Sequence, residues 1–154
     1  MTREYTFDYE TYTADEIPQA DAELIEVARN AAAELSYAPY SEYRVGAAAR
    51  LDDGSIIRAA NQESSVFPAG LCAERVLLFA HMAAGNGKKI VSMAIASIPD
   101  TTECHPCGGC RQVMTDVMER QGAPFRIIMS SAYGATIVSS PSCLLPFAFT
   151  IGDK

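Results

Sequence analysis

Apolar and polar positions along the chain change period several times, and each change marks an element. Tyr5, Phe7 and Tyr9 alternate with polar neighbours within residues 1–14, which predicts a short strand. From Asp21 to Ser36, Leu24, Ala28, Ala31 and Leu35 recur on one helical face, with Asp21 placed to cap the start. Pro39 ends that pattern. Tyr43–Leu51 and Ser55–Asn61 flank the turn signal Asp52-Asp53-Gly54 and predict a β-hairpin. A second helix is expected from Cys72 to Ala84, burying Val76, Leu77, Ala80 and Ala83 and stopping at Gly85-Asn86-Gly87. The apolar run Ile90–Ile98 reads as a central strand covered on both faces. A third helix is expected from Cys107 to Arg120, closed by Gly122. Phe125–Met129 and Thr136–Val138 complete the strands, and Leu144–Ile151 is an apolar tail. The order βαββαβαββ predicts an α/β protein with helices packed on a mixed sheet.

Composition narrows the function classes. A chain of 154 residues is one domain by length and can bury a core without disulfides. A net charge of −7 and the lack of any basic run argue against a nucleic-acid partner, because phosphate binding draws on Lys and Arg. No apolar stretch is long enough to span a membrane, and Met1-Thr2-Arg3-Glu4-Tyr5 has no signal-like apolar core. These features predict a cytoplasmic protein with no membrane or nucleic-acid partner, in a compartment where the five cysteines stay free or hold metal.

Two cysteine clusters carry the chemistry. Cys72-Ala73-Glu74 and Pro106-Cys107-Gly108-Gly109-Cys110 both fall at expected helix starts, where unpaired N–H groups favour thiolates. Cys107 and Cys110 are three apart and share one face of the first turn. Gly108 and Gly109 leave steric room beside a metal. Cys72, Cys107 and Cys110 supply three ligands for one Zn²⁺ and leave a fourth position open, the pattern of hydrolytic rather than structural zinc. Glu74 is then a general acid/base, taking a proton from the attacking water and returning it to substrate. Three thiolates around Zn²⁺ leave net negative charge, which disfavours ionising water. Arg75 is placed to donate to the sulfurs and offset it.

Other readings stay open on these residues. Cys104-His105-Pro106-Cys107-Gly108-Gly109-Cys110 also spaces a fourth ligand, so a closed structural-zinc site in an interaction module could use Cys104 or His105. A redox C-x-x-C would instead pair Cys107 with Cys110. Cys143 reads as a small core residue and His81 as a packed or surface histidine.

Cys-Ala-Glu-Arg (residues 72–75) together with Pro-Cys-Gly-Gly-Cys-Arg-Gln (residues 106–112) resembles the zinc-dependent cytidine deaminases, in which a non-ligand Glu acts as acid/base. The resemblance covers roughly residues 21–150. Cys rather than His at position 72 is similar to the free-nucleoside branch. The resemblance implies a three-layer α-β-α fold on a mixed sheet of about five strands. Residues 1–20 then form an N-terminal extension with room for an extra strand, and 21–154 form the catalytic domain.

By the same resemblance, Tyr43 takes an aromatic position lining the pyrimidine pocket. Asn61 and Glu63 match an Asn-x-Glu that binds the ribose 3′-hydroxyl. Ala73 contacts the base through its backbone, and Phe149 matches a Phe that reaches into a neighbouring subunit's site in tetrameric members. The implied function is hydrolytic deamination of cytidine and deoxycytidine by a homotetramer, in pyrimidine salvage. The chain departs from the family pattern at Ser64-Ser65, where Asn-Ala is common, and at Tyr43, where Phe is usual. A modified pyrimidine nucleoside or a blasticidin-type antibiotic is the alternative substrate.

Overall fold

Alternation along the strands decides which helix covers which face of the sheet. The computed structural model describes residues 1–152, so the last two residues of the domain expected over 21–154 lie outside the described residues. The elements are β1 (Tyr9–Thr13), α1 (Gln19–Leu35), β2 (Arg44–Leu51), β3 (Ile56–Ala60), α2 (Ala73–Ala84), β4 (Ile90–Ile98), α3 (Gly108–Gln121), β5 (Arg126–Ser130) and β6 (Gly134–Val138). They form one sheet in the order β1-β6-β5-β4-β2-β3. The β4–β5 pair is parallel, and every other described pair is antiparallel.

Ala48, Ala94, Ala96 and Ile128 face α1, whereas Ala47, Ala49, Met93, Ile95, Ile127 and Met129 face α2 and α3. The result is the expected α-β-α arrangement. The α1 side is built from small residues, and the helix lies close to the sheet. A Cβ on Gly46 would overlap the Ala28 carbonyl oxygen. The opposite face carries larger side chains and therefore has depth for a site.

The sheet has six described strands rather than about five, because β1 adds to the edge of β6, with Thr11 opposite Thr136. That strand begins where the Tyr5-Phe7-Tyr9 alternation ends. The three rings are largely exposed and meet one another tilted, at centroid separations of 6.4 and 6.3 Å, and the Tyr5 hydroxyl donates to the Ser142 carbonyl. Here alternation follows the backbone's period without marking a buried face.

Two helical details differ from expectation. Pro18, not Asp21, occupies the N-cap of α1. Asp21 sits inside the first turn, buried, and accepts two hydrogen bonds from Arg126 of β5 at 2.9 and 2.8 Å. A buried carboxylate needs such a bidentate partner. Helix α2 buries Ala73, Glu74, Leu77, Leu78 and His81, leaving Ala80 and Ala83 exposed. The buried face is rotated from the expected one, so that Glu74 points inward. Buried His81 spends its Nε2 on the Lys88 carbonyl at 3.0 Å. Gly85 and Gly122 end α2 and α3 at φ of 61° and 68°, the left-handed conformation that glycine adopts without steric cost.

Topology brings the two cysteine clusters together. Strands β3 and β4 both run antiparallel to β2 and hence parallel to each other. Helix α2 follows β3 and α3 follows β4, so both helices start at the same edge of the sheet, outside the carboxyl ends of parallel strands.

Candidate active site and metal centre

Cys72 is the N-cap of α2 and Cys107 the N-cap of α3, both in extended backbone, and Cys110 lies in the first turn of α3. Their sulfurs lie within 4.8 Å of one another. Cys72 Sγ is 3.7 Å from Cys107 Sγ, and Cys107 Sγ is 3.5 Å from Cys110 Sγ. Zinc–sulfur bonds of about 2.3 Å at tetrahedral angles place sulfurs roughly 3.8 Å apart. The thiols are therefore spaced for a shared metal, and all five cysteines are free.

Three thiol donors on two rigid helix starts suit Zn²⁺ in preference to hard cations that take oxygen ligands. Neither Cys104 nor His105 joins the group. Cys104 is buried with Tyr43 Oη 3.7 Å from its sulfur, and burial pushes its thiol pKa up. His105 Nε2 donates to Glu103 at 3.1 Å. The closed four-ligand site therefore does not form among the described residues. Cys143 packs half-buried against the core.

The metal-free electrostatics favour ligation and acid/base work together. Hydrogen bonds from Cys110 above all, then from Arg75 and Cys107, lower the Cys72 thiol to about 5. Cys110 is correspondingly raised, since its hydrogen goes to the Cys72 sulfur. Arg75 Nη2 donates to Cys72 Sγ at 3.6 Å, while its buried Nε has no partner among the described residues. Glu74 is only 3% exposed. Burial, with the nearby Cys72 charge adding to it, raises its carboxyl to about 7. A carboxyl that exchanges its proton near neutrality suits general acid/base chemistry. A Cβ on Gly108 would meet nothing within 4 Å, and one on Gly109 would meet only Arg75 Cζ at 3.9 Å.

Two adjoining cavities open from this centre. The inner one, about 300 Å³, is lined by Glu74, Cys72, Cys107, Tyr43, Asn61 and Cys104, among others. The outer one, about 430 Å³, includes Asn61, Glu63, Ser64, Phe67 and Arg75. Ser41, Asn61 and Cys72 line both.

The Asn61 amide is locked. Its Oδ1 accepts from Val45 N at 2.9 Å and from Ser36 Oγ at 2.5 Å, and its Nδ2 donates to the Tyr43 carbonyl at 2.9 Å. One N–H of that amide is left for a ligand. Glu63 accepts from Tyr40 N, Ser41 N and the Ser41 hydroxyl, which lowers its pKa and keeps it ionised. Ser36 and Ser41 were not among the sequence candidates. No local signal in the chain links Ser36 to Asn61, and only the α1–β3 packing does so. Ala73 has a fully buried side chain in the first turn of α2. Phe149 is 73% exposed, and its carbonyl accepts from Gln112 Nε2 at 2.8 Å. It lines neither cavity of its own chain.

An α-β-α sheet whose parallel edge holds a three-thiol centre and a buried carboxylate defines a zinc-hydrolase type of site. The chain belongs to the cytidine deaminase family. Residues 18–121 match the model of the cytidine and deoxycytidylate deaminase zinc-binding region. A cytidine deaminase of Halalkalibacterium halodurans is 41% identical over 123 residues, 79% of this chain and 89% of that protein. One of Sporosarcina psychrophila is 32% identical over 134 residues, 86% of this chain and 94% of that protein. The crystal structure of cytidine deaminase from Burkholderia pseudomallei superposes with a TM-score of 0.70 at 36% identity, covering 82% of this chain and 97% of that one.

Proposed function

We propose that the chain is a zinc-dependent enzyme that hydrolyses cytidine and deoxycytidine to uridine and deoxyuridine with release of ammonia. One observation carries this reading above the others. Glu74 is buried in the same cavity as Cys72 and Cys107, and burial raises its carboxyl to about 7. When bound, Zn²⁺ supplies the Lewis acidity that makes water a competent nucleophile near neutral pH. Cys72, Cys107 and Cys110 would hold it, and Arg75 would draw charge from the Cys72 sulfur. Glu74 takes the proton of the attacking water at its carboxylate, delivers it to N3 of the base, and assists proton delivery to the departing amine. Water and cytidine are thereby consumed as uridine and ammonia are formed.

Tyr43 forms a wall for the base in the inner cavity. Asn61, with its one spare N–H, and ionised Glu63 bind the sugar 3′-hydroxyl from the loop edge. Ala73 presents backbone to the base.

Phe149 completes a neighbouring subunit's site in a homotetramer. Its exposure supports that reading, as does the exposure of Phe79, Phe147 and Ile151. Elution at monomer mass in a sizing experiment would overturn the assembly. The family match begins at residue 18, which supports treating 1–20 as an extension of a 21–154 catalytic domain. Among the described residues no helix is long and apolar enough to cross a membrane. The free state of its five cysteines suits a reducing compartment, and we place the enzyme in the cytoplasm, in pyrimidine salvage.

The decisive assay follows loss of cytidine absorbance with and without a chelator, then after zinc is restored. Turnover that is abolished by chelation and recovered with zinc is expected, and chelator-insensitive turnover would sink the reading. A modified pyrimidine nucleoside is the second reading, favoured by the Tyr43 hydroxyl beside Cys104 in the base cavity and by Ser64 in the outer one. A nucleoside-analogue panel, blasticidin S included, run beside cytidine separates the two.

A further inference from the structure

His105 is released from any ligand role, yet it stays at the site. It lines the inner cavity together with Glu74, Tyr43 and Asn61. Pro106 follows it, which keeps its backbone extended and outside the first turn of α3. Its side chain is 55% exposed, a position at the cavity mouth rather than at the metal.

The ring is not left to rotate. Nε2 donates to Glu103 Oε2 at 3.1 Å, and Glu103 Oε1 accepts from Thr136 Oγ1 at 3.0 Å. Thr136 in turn pairs with Thr11 of β1. Glu103 lines both the inner cavity and a second one walled by Thr11, Tyr12 and Thr13. A hydrogen-bonded chain thus runs from the N-terminal strand, through β6 and Glu103, to the mouth of the active cavity. Glu103 can only accept, so Nε2 carries a hydrogen, and in that tautomer Nδ1 is the acceptor left for a ligand.

We propose that His105 is a specificity-determining residue whose Nδ1 accepts a hydrogen bond from the nucleoside, and that Glu103 is the positioning residue that sets its tautomer and orientation. The inference rests on the cytidine deaminase reading above. A nucleoside offers donors at its exocyclic amine and its sugar hydroxyls, and an acceptor at the mouth discriminates among substrates by which of these it meets. A contact to a group that does not react is made in ground state and transition state alike, so its loss is read in KM more than in kcat.

The test uses the full-length zinc-loaded enzyme with the substitutions His105→Ala, Glu103→Ala and Glu103→Gln, assayed for zinc content, kcat and KM. His105→Ala is expected to retain zinc and to raise KM for cytidine about three- to tenfold, with kcat changed less than twofold, the scale of one net hydrogen bond. Glu103→Ala should move KM in the same direction, and Glu103→Gln, whose amide oxygen still accepts from Nε2, should restore most of it. A merely structural role would not give that rescue.

Repeating the assay with 2′,3′-dideoxycytidine locates the donor. A His105→Ala penalty that vanishes places the contact at the 2′- or 3′-hydroxyl, and one that persists places it at the 5′-hydroxyl or the base. Zinc loss in His105→Ala, or a KM within twofold of wild type for both substrates, overturns the proposal. A wild type that fails to deaminate cytidine would instead overturn the parent reading, so the two failures are distinct.

Discussion

The thiol end and the outer end of the cleft are built on opposite principles. At the thiol end, polar groups are held with spare capacity: three thiols share their hydrogens, and a buried carboxyl sits where it can gain or lose a proton. At the outer end, nearly every hydrogen-bonding position is already taken. Asn61 makes three internal hydrogen bonds and Glu63 holds the backbone of Tyr40 and Ser41. The first arrangement suits chemistry, which needs groups that change state. The second suits recognition, which needs groups that do not move.

The sharpest way to break that contrast is at the thiols. Cys107→Ala should release zinc and abolish turnover, and an active, metal-free variant would remove Cys107 from the ligand set. Glu74→Ala comes next, with zinc retained and kcat lowered by about 10²-fold or more. Unchanged turnover would show that Glu74 moves no proton.

Glu74 also gives a stability test on metal-free protein. Its folded pKa is raised to about 7, above the ordinary carboxyl value of 4.5. The contribution to stability is therefore complete below the unfolded value and is lost as pH rises through about 7. Thermal unfolding of chelated wild type should weaken relative to Glu74→Gln across that window. Parallel pH profiles would refute the raised carboxyl.

At the recognition end the expected effects are smaller. Ser36→Ala removes one hydrogen bond to Asn61 without touching either cavity, and should raise KM about two- to tenfold with kcat little changed. A drop in kcat alone would mean that the outer end also serves the chemical step. The smallest effect is expected at Gly108, where an added methyl meets open space. Gly108→Ala should keep zinc content and turnover within about twofold, and a larger loss would show that the glycines beside the metal are not merely tolerated.

How much was legible in the chain follows the same division. The thiols, Glu74 and Arg75 are close in sequence within each cluster, and helix-start chemistry made them readable one at a time. Helix α2 shows the limit. Its apolar residues predict a face through Ala80 and Ala83, whereas the fold buries Glu74 and His81 instead. Local hydrophobicity does not register that a polar side chain is needed inside. Asp21 reads as a cap in the sequence because its partner, Arg126, is far away in the chain. Ser36, Ser41 and Glu103 were missed for the same reason, since each acts through a partner on another element.

The residues alone determined the element order and the helix starts at Cys72 and Cys107, and nominated a donor set for one zinc, because these depend on side-chain type and short-range spacing. Tertiary structure decided what the other cysteine and histidine of that segment do. Parallel strands β3 and β4 deliver the two helix starts to one edge, which unites Cys72 with Cys107 and Cys110. Strand β6 supplies the Thr136 hydroxyl for Glu103, which pairs with His105 outside the three-thiol group. Spacing in a chain can nominate ligands, but only packing sets the direction in which each side chain spends its hydrogen bonds.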